Sequence, residues 1–398
     1  MKKFDKKILA TLFFSVFVNV TGVGIVVPLL PIYAHDLGAS GFYIGLIFGA
    51  FSLSRTVFMP YFGRLSDQKG RKPLIVLGLL GYALISIAFI YSRSVTTLIT
   101  IRLFHGVASA MLMPVIQAYV GDITPKGREG LTMGLFNMFM LFGLSLGPLV
   151  GGLAKDQFSL QTSFLCMGLL ALLGFVLCLF LLPPRASERV IGSPKTLQPW
   201  RKLLFNSTLA SLLLFRFAYI VCIGIIWAFV PLYADLKFSL SSSSVGLLIM
   251  LGVLISGSLN VPMGLVADRM NKKMMIIMGG LIIGYAILSF QWAQSFRSMV
   301  LAAVIFGIGG GVSMPALMAI AILKGNQNNS MGSVMALMNV AHSLGMLTGA
   351  LLGGIMMDIY RLEFAFPAVA LIMAVSTAIF IIGTRVVKKP PLTTIDKQ

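Results

Sequence analysis

Apolar residues along this chain fall into long runs that are separated by short polar connections. The runs lie near residues 8–33, 42–62, 73–92, 98–120, 130–153, 162–183, 205–233, 242–266, 274–293, 297–322, 331–357 and 363–384. Each run is long enough for a helix to cross about 30 Å of hydrocarbon, and too long for a barrel strand. Because lipid cannot satisfy backbone hydrogen bonds, the pattern predicts an all-α membrane protein with twelve transmembrane helices.

A basic connection that contains prolines, over 184–204, divides the spans into two sets of six. We therefore expect an N-terminal six-helix bundle over 1–183, a cytoplasmic linker over 184–204, and a C-terminal bundle with a short cytoplasmic tail over 205–398. The first run resembles a signal peptide, but it lacks an A-x-A cleavage site and continues through Pro28 and Pro31. We predict that it is retained as the first helix.

Two charged stretches interrupt the apolar pattern at corresponding places in the two halves. In the first, over 60–72, the apolar run ends at Phe62, a turn is expected from Gly63 to Asp67, and a basic cluster follows. The second stretch covers 264–273. Lysine and arginine collect in these and in alternate connections, whereas the opposite connections hold few. The positive-inside rule therefore predicts that the basic face and both termini are cytoplasmic.

The composition excludes most other classes of protein. Of the 398 residues, 58% are hydrophobic and 11% are charged, too few charges to cover the surface of a soluble fold. The net charge of +19 could indicate a nucleic-acid partner, but the basic residues are distributed as in a membrane protein, so we expect none. The three cysteines lie in apolar runs without metal-ligand spacing, so we expect neither disulfides nor a metal site.

The two halves repeat each other at an offset of roughly 200 residues. Pro31 and Tyr33 correspond to Pro231 and Tyr233. Further pairs are Gly106 and Gly307, Pro114 and Pro315, Asn137 and Asn339, and the segments 143–152 and 345–354. An even number of spans in each half makes this a parallel repeat about an axis along the membrane normal. Substrate sites in such proteins lie between the halves, near the middle of the membrane.

Three motifs occur in the first half. Residues 63–72, GRLSDQKGRK, follow the pattern G-x-L-x-D-r-x-G-R-K between spans two and three. Arg102 and Gly106 form an Arg-x-x-x-Gly pattern in span four, and residues 143–152, GLSLGPLVGG, follow G-x-x-x-G-P-x-x-G-G in span five. In combination they resemble the major facilitator superfamily, and within it the twelve-helix drug/proton antiporters. The resemblance implies two pseudo-symmetric bundles and transport of small molecules.

The motifs supply candidate gating and hinge residues. The gating candidates are Gly63, Asp67, Gly70, Arg71 and Lys72, with Asp268 in the second half. Asp67 can pair with Arg71 or accept backbone N–H groups at a helix N-terminus, which would latch the cytoplasmic side in one state. A topology anchor with a tight glycine turn fits equally well. The hinge candidates are Gly143, Gly147, Pro148, Gly151 and Gly152, although their spacing alone favours simple close packing of helices.

Charged groups inside the spans are all cationic. Arg55, Arg102 and Arg216 lie well within spans two, four and seven, with His105 and His342 in spans four and eleven, whereas every Asp and Glu falls in a connection or near a span end. Many drug/proton antiporters carry a buried acid, so this chain departs from their pattern. Buried charges normally face a watery cavity or a partner, and charge complementarity here favours anionic, zwitterionic or neutral amphiphiles over lipophilic cations.

The substrate or coupling candidates share a polar or aromatic side chain within the spans. They are Arg102, Arg216, Arg55, His105, Asn19, Asn137, Tyr219, Trp227, Asn339 and His342. The proton candidates are Asp36 at the outer mouth, His105, His342, and Asp122 near the inner end of span four. Histidine titrates near neutral pH, although a histidine inside a membrane more often makes one hydrogen bond between helices.

We predict a secondary active exporter of small amphipathic molecules in the inner or plasma membrane, driven by proton antiport and working by alternating access. The alternative is a specific exporter or facilitator of a metabolite such as an organic anion, a sugar or a lipid precursor, without proton antiport. The sequence holds no nucleotide-binding loop and no hydrolytic triad, so we expect neither an enzyme nor an ATP-driven pump. We expect no cofactor, a monomer, and protons and lipid as further partners.

Overall fold

The computed structural model describes residues 3–124, 129–183, 205–327 and 331–385. Within them twelve helices are long and apolar enough to cross a membrane, so the prediction of an all-α protein with twelve spans is confirmed. The predicted linker over 184–204 and the tail over 386–398 lie outside the described residues.

The first half contains α1 (Lys3–Asp36), α2 (Gly41–Lys69), α3 (Arg71–Tyr91), α4 (Val95–Ile123), α5 (Glu129–Gln157) and α6 (Leu160–Leu181). The second contains α7 (Ser207–Phe238), α8 (Ser242–Arg269), α9 (Lys272–Gln291), α10 (Phe296–Gln327), α11 (Met331–Ile359) and α12 (Ala365–Arg385), the last preceded by a 3₁₀ turn, Leu362–Phe364. Side chains cap several helices. Ser94 Oγ accepts a hydrogen bond from the Thr97 amide at 3.2 Å at the start of α4, for example.

The predicted turn from Gly63 to Asp67 is wrong, because these residues continue α2 as far as Lys69. The chain changes direction at Gly70 alone, whose φ of +90° lies in the region that favours glycine. Ser66 supports the extension, since its hydroxyl donates to the Gly63 carbonyl at 2.6 Å. Helix α2 therefore runs past its apolar stretch, and α8 similarly continues to Arg269.

The helices of each half pack in the same pattern. In the first half α1 lies against α5 and α6, α2 against α4, and α3 against α4 and α6. In the second half α7 lies against α11 and α12, α8 against α10, and α9 against α10 and α12. The repeat detected in the sequence is therefore a repeat of helix packing. Across the halves the main contacts join α2 to α11 and α5 to α8.

Glycines allow the long helices within a half to approach closely. A Cβ added at Gly147 of α5 would lie 2.6 Å from the Thr21 carbonyl oxygen of α1. At the corresponding place in the second half, a Cβ at Gly349 of α11 would lie 2.2 Å from the Val221 carbonyl oxygen of α7. Both distances are below any real carbon–oxygen contact, so these crossings require glycine.

At one end of the molecule the two halves are closed against each other. A Cβ at Gly152 of α5 would lie 2.2 Å from the Ser242 carbonyl oxygen of α8. A Cβ at Gly354 of α11 would lie 2.1 Å from the Gly41 carbonyl oxygen of α2. Backbone therefore lies directly on backbone at both contacts between the halves. We call this the closed end.

Two carboxylates reinforce the closed end. Asp156, near the end of α5, accepts hydrogen bonds from the Ser242 and Ser243 amides at 3.0 and 2.7 Å. Asp358, near the end of α11, accepts from the amides of residues 41 and 42 at 2.6 and 2.8 Å. Each carboxylate thus binds the first amides of a helix in the other half, where the helix dipole also favours a negative charge. We call these two contacts the carboxylate clasps.

The opposite end of the molecule is open. A Cβ added at Gly63 of α2, Gly134 of α5 or Gly264 of α8 would meet no atom within 4 Å. Val261 of α8 is correspondingly 74% exposed. Since these positions of α2, α5 and α8 touch no described residue of the other half, we infer that the helices diverge towards the end that carries the basic stretches. The charge pattern predicts that this end is cytoplasmic.

Candidate transport site between the halves

Two neighbouring cavities lie where the halves meet. The arginine cavity has a volume of about 220 Å³ and is lined from α1, α2, α4, α5, α7 and α11. The apolar cavity has a volume of about 180 Å³ and is lined from α5, α7, α8, α9 and α10. Leu144 and Trp227 line both cavities, so the two spaces adjoin at these side chains.

Arg102 of α4 lines the arginine cavity although only 2% of its surface is exposed. Its Nε donates to the Ile47 carbonyl at 3.3 Å, and its Nη1 donates to His105 Nδ1 at 3.2 Å. The guanidinium carbon lies 4.3 Å from the centre of the Phe51 ring and 5.3 Å from that of Phe48. A carbonyl and two aromatic faces thus stabilise the charge where a carboxylate would be expected.

His105 is fully buried one turn further along α4. Its ring makes edge contacts with Tyr82 at 4.7 Å and with Phe51 at 5.1 Å. Because arginine has no acceptor, Nδ1 must accept the bond from Arg102, and the imidazole in this contact is neutral. Its Nε2 is buried without a hydrogen-bond partner in the described part of the chain.

The second half repeats this pairing of arginine with histidine. Arg216 of α7 donates from Nη2 to Nδ1 of His342 on α11 at 3.3 Å, and from Nη1 to Met314 Sδ at 3.1 Å. His342 lines the arginine cavity, whereas Arg216 lies behind it. The sequence analysis identified both residues but could not identify them as a pair, because they lie on different helices.

Two further residues that line the arginine cavity carry a buried polar atom that has no partner among the residues described. Arg55 of α2 lines the arginine cavity, and its Nε is buried without a hydrogen-bond partner among the described residues. Asn19 of α1 is 1% exposed, lines the same cavity, and leaves its Oδ1 unpartnered there. Buried polar groups are rarely left unpaired in folded proteins, so these two atoms are available to a bound molecule.

The cavities contain no acidic side chain in the part of the chain that the structure describes. Asp36, Asp122, Asp156, Asp268 and Asp358 are all exposed near helix ends. The proton candidates Asp36 and Asp122 therefore lie away from the cavities, whereas His342 lines the arginine cavity and His105 contacts Arg102.

The remaining candidates divide between the apolar cavity and the surface. Tyr219 and Trp227 line the apolar cavity, and Tyr219 stacks on Phe306 with ring centres 5.8 Å apart. Asn137 and Asn339 are exposed and line neither cavity. All five asparagine, tyrosine and tryptophan candidates lie inside helices, but their positions in the sequence did not predict which way each side chain faces.

Two gating candidates of the first half, Asp67 and Arg71, belong to a network around Arg71, the first residue of α3. Its Nη1 lies 2.6 Å from Asp67 Oδ1, and its Nε lies 3.1 Å from Asp122 Oδ2 at the end of α4. Arg71 also donates to the Ser66 hydroxyl. The network joins α2, α3 and α4 of one half at the open end. Asp268, its counterpart in the second half, is exposed.

Asp156 and Asp358, which connect the halves, were not among the candidates predicted from the sequence. Asp156 and Asp358 follow the two glycine-rich segments at matching positions, four residues after Gly152 and Gly354. This correspondence between the two halves could have identified both aspartates from the sequence. A third contact, in which Thr56 of α2 donates to the Ser343 hydroxyl of α11, had no such signal.

Comparisons with known proteins agree with this architecture. The sequence model of the Major Facilitator Superfamily matches residues 12–236 and 212–397. An uncharacterized MFS-type transporter of Methanocaldococcus jannaschii is 29% identical over 364 residues, covering 90% of this chain and 93% of that protein. Multidrug resistance protein 2 of Bacillus subtilis is 26% identical over 381 residues, covering 93% and 94%.

Among solved structures, a bacterial homologue of the human lysosomal transporter Spinster has a TM-score of 0.84 at 14% identity. The alignment covers 98% of this chain and 100% of that one, and it shows a shared fold. With twelve spans in two matching halves and a family match over nearly its whole length, the chain belongs to the Major Facilitator Superfamily and is a multi-pass membrane transporter rather than an enzyme.

Proposed function

We propose that the protein exports small amphipathic molecules by alternating access, and that it prefers neutral, zwitterionic or anionic compounds to lipophilic cations. The observation that carries this proposal is the arginine cavity. Arg55 and Arg102 line it, Arg216 lies behind it, and no acidic side chain of the described residues lines either cavity.

Electrostatics supports the preference among substrates. Two like charges 4 Å apart repel by about 4 kcal/mol at the effective dielectric constant of partly buried sites. A cationic drug entering the arginine cavity would meet that repulsion without a carboxylate to offset it. An anionic or neutral polar group would instead find donors that currently lack partners, including Arg55 Nε.

The direction of transport is supported by a relative and by a motif. The Bacillus subtilis relative is named for multidrug resistance. Pro148 and the glycines at 143, 147, 151 and 152 fit the motif associated with antiporters, and they lie where α5 meets α1 and α8. We assign these residues to a seal and hinge, and the Arg71 network to gating at the open end.

Proton antiport is the second part of the proposal, with Asp36, Asp122, His105 and His342 as candidate carriers. In separate variants, Asp36 and Asp122 are replaced by Asn and His105 and His342 by Gln. Each variant is reconstituted in liposomes. Loss of the carrier should abolish the response to a pH gradient while exchange of labelled for unlabelled substrate persists. His105 and His342 accept hydrogen bonds from arginines in this conformation, so protonating either ring requires that contact to break.

A second candidate is a specific exporter or facilitator of a metabolite such as an organic anion, a sugar or a lipid precursor. No acidic side chain of the described residues lines either cavity, which favours this candidate because a proton and a cationic drug would then have no shared carboxylate. In either case we propose a monomer in the cell membrane with both termini in the cytoplasm.

Transport into liposomes with and without an imposed pH gradient tests both candidates. A broad panel of anionic, zwitterionic, neutral and quaternary-ammonium compounds is offered to the purified protein. The main proposal expects gradient-driven transport of several unrelated compounds and poor transport of the quaternary cations. Transport of one compound without a gradient would favour the second candidate. Strong transport of quaternary cations alone would overturn the charge argument.

A further inference from the structure

The two cavities differ in chemistry and adjoin each other. The arginine cavity presents Arg55, Arg102 and His342, whereas the wall of the apolar cavity includes Ile249, Val253 and Phe306. They share Leu144 and Trp227. A single molecule can therefore place a charged end in one cavity and an apolar body in the other.

We propose that the preferred ligand is an amphipathic monocarboxylate, held with its carboxylate among the arginines and its apolar body beyond Trp227 in the apolar cavity. This inference rests on the proposed export function and names the class of substrate. Both cavities are needed, because neither the lining of the arginine cavity nor that of the apolar cavity alone selects for a molecule with one charged end and an apolar body.

The arginine cavity offers the donors that one carboxylate needs. The known contacts of Arg102 use its Nε and Nη1, which leaves Nη2 for the ligand. Arg55 Nε has no partner among the described residues. His342 accepts from Arg216 through Nδ1, so its ring proton is on Nε2 and can be donated. Charge-assisted hydrogen bonds of this kind are roughly twice as strong as neutral ones.

The surroundings of Arg102 favour a ligand with a single negative charge. Arg102 is already stabilised by the Ile47 carbonyl and by the faces of Phe48 and Phe51. A carboxylate bound between Arg102 and Arg55 would give these charges the counterion that no described residue of the lining provides. Asn19, whose Oδ1 is buried and unpartnered, supplies an acceptor for a hydroxyl or N–H group beside that carboxylate.

The volume of the apolar cavity limits the size of the apolar part of the ligand. Its volume of about 180 Å³ is bounded by packed helices, and Tyr219 and Phe306 form one stacked aromatic wall. Each methylene that enters such a space gains about 0.8 kcal/mol, or roughly fourfold in affinity. We therefore expect affinity to increase with chain length until the cavity is filled and then to level off.

Equilibrium binding to the full-length protein in lipid nanodiscs tests the proposal. The probes are straight-chain carboxylates of increasing length, the corresponding methyl esters, and alkyltrimethylammonium ions of matched length. The expected order is carboxylate, then ester, then ammonium ion. Tighter binding of the ammonium ions than of the carboxylates overturns the proposal.

Two pairs of variants test where the carboxylate and the apolar chain of the ligand bind. Arg55→Gln is expected to weaken carboxylates at least tenfold while leaving esters unchanged, whereas Arg64→Gln, on an exposed position of the same helix, leaves both unchanged. Val253→Phe should shorten the chain length at which affinity levels off. Val261→Phe, two turns along α8 and 74% exposed, should not.

Folding of each variant is checked by its melting temperature. If Val253→Phe does not fold, Gly252→Ala replaces it, because the atoms nearest to the added Cβ belong to Ala303 and none is closer than 3.4 Å. An unchanged dependence on chain length in the folded variant overturns the proposal.

Failure of this inference differs from failure of the proposed function. If carboxylates bind as described but are never transported, the export function is wrong and the site stands. If other compounds are exported and carboxylates bind no better than esters, the export function stands and the monocarboxylate site is wrong.

Discussion

Arg102 is a buried charge that forms no ion pair with any residue the structure describes. Only 2% of it is exposed, and its neighbours are the Ile47 carbonyl, His105 and two phenylalanine rings. Burying a charge without a counterion costs several kcal/mol, and the carbonyl and rings offset part of that cost. Such a residue is retained for function more readily than for stability, which makes it the sharpest single position to test.

We expect Arg102→Ala to lose transport while the protein still inserts in the membrane. Loss of a buried, hydrogen-bonded charge from a binding site costs about 2 kcal/mol or more, or roughly 30-fold in affinity. Arg102→Lys should also be impaired, because an ammonium group cannot combine the stacking on Phe51 with the two directed hydrogen bonds. Substrate uptake by proteoliposomes measures both.

Arg64→Ala is the matched control for Arg102→Ala, since Arg64 is an exposed arginine on α2. It should transport normally. Near-normal turnover of Arg102→Ala itself would assign that residue to packing.

Depth in a span was enough to predict that Arg55, Arg102 and Arg216 are functional candidates. Their surroundings could not be predicted, because they depend on contacts between residues far apart in sequence. The pairing of Arg216 with His342 joins α7 to α11, 126 residues apart. The pairing of Arg102 with His105 lies within one helix and could have been predicted from the spacing of three residues.

At the scale of helices, the closed end is built from glycine contacts between α2 and α11 and between α5 and α8. These contacts contain so little space that one methyl group is enough to disturb them. A Cβ at Gly354 would lie 2.1 Å from the Gly41 carbonyl oxygen. Since backbone atoms cannot yield at such a distance, the helices must move apart.

We therefore expect Gly354→Ala to favour the alternative conformation, in which the closed end opens. Spin labels at Phe158→Cys and Tyr360→Cys, two exposed sites at the closed end, report the separation of the halves in a variant without the native cysteines. The distance between the labels should increase. Gly264→Ala is the control, because its added Cβ meets nothing within 4 Å and should leave the distance unchanged. An unchanged distance in Gly354→Ala would contradict the assignment.

The carboxylate clasps provide a second test at this scale. In Asp358→Asn one of two acceptor oxygens becomes an NH₂ group, which cannot accept from the Phe42 and Gly41 amides together. The lost hydrogen bond and the lost attraction to the helix dipole amount to about 1–2 kcal/mol, or roughly a 5- to 30-fold shift in population.

The same spin labels measure that shift, and Asp156→Asn should give a similar one. The double variant should shift further, because the two clasps share no residue. Gly264→Ala, whose added Cβ meets nothing within 4 Å at the other end, again serves as control. Equal populations in the double variant and the unmodified protein would show that the clasps do not hold the closed end.

Glycine spacing in span five predicted a close helix contact, and the structure places Gly143, Gly147 and Gly151 against α1. It did not predict that Gly152, one residue out of that register, contacts α8 of the other half. Helix ends were also less predictable than helix cores. Polar residues after Phe62 indicated the end of the apolar stretch of α2, but the helix itself continues to Lys69 because no residue before Gly70 breaks it.

At the scale of the whole molecule, the two halves meet at one end and diverge at the other. The open end carries both basic stretches, and the closed end carries both clasps. Twelve spans and their internal repeat followed from the sequence, because hydropathy and repeated motifs are properties of the chain itself. The conformation could not be predicted from the sequence, since a transporter's sequence is compatible with more than one conformation.

The orientation in the membrane is tested by chemical labelling in intact cells. In a variant without the native cysteines, Phe158→Cys and Tyr360→Cys should react with a maleimide that cannot cross the membrane. Met270→Cys, which is 59% exposed at the open end, should react only after the cells are permeabilised. The charge pattern requires this result. Labelling of Met270→Cys from outside would reverse the topology, and with it the assignment of the open end to the cytoplasm.

The clasps bind main-chain amides, which has a genetic consequence. Side-chain substitution at Ser242 or Ser243, short of proline, leaves the bonded N–H groups of these residues in the chain. Loss of a serine side chain therefore leaves these two hydrogen bonds in place, whereas loss of the Asp156 carboxylate removes them. Second-site suppressors of Asp156→Asn should accordingly include positions that weaken the competing conformation.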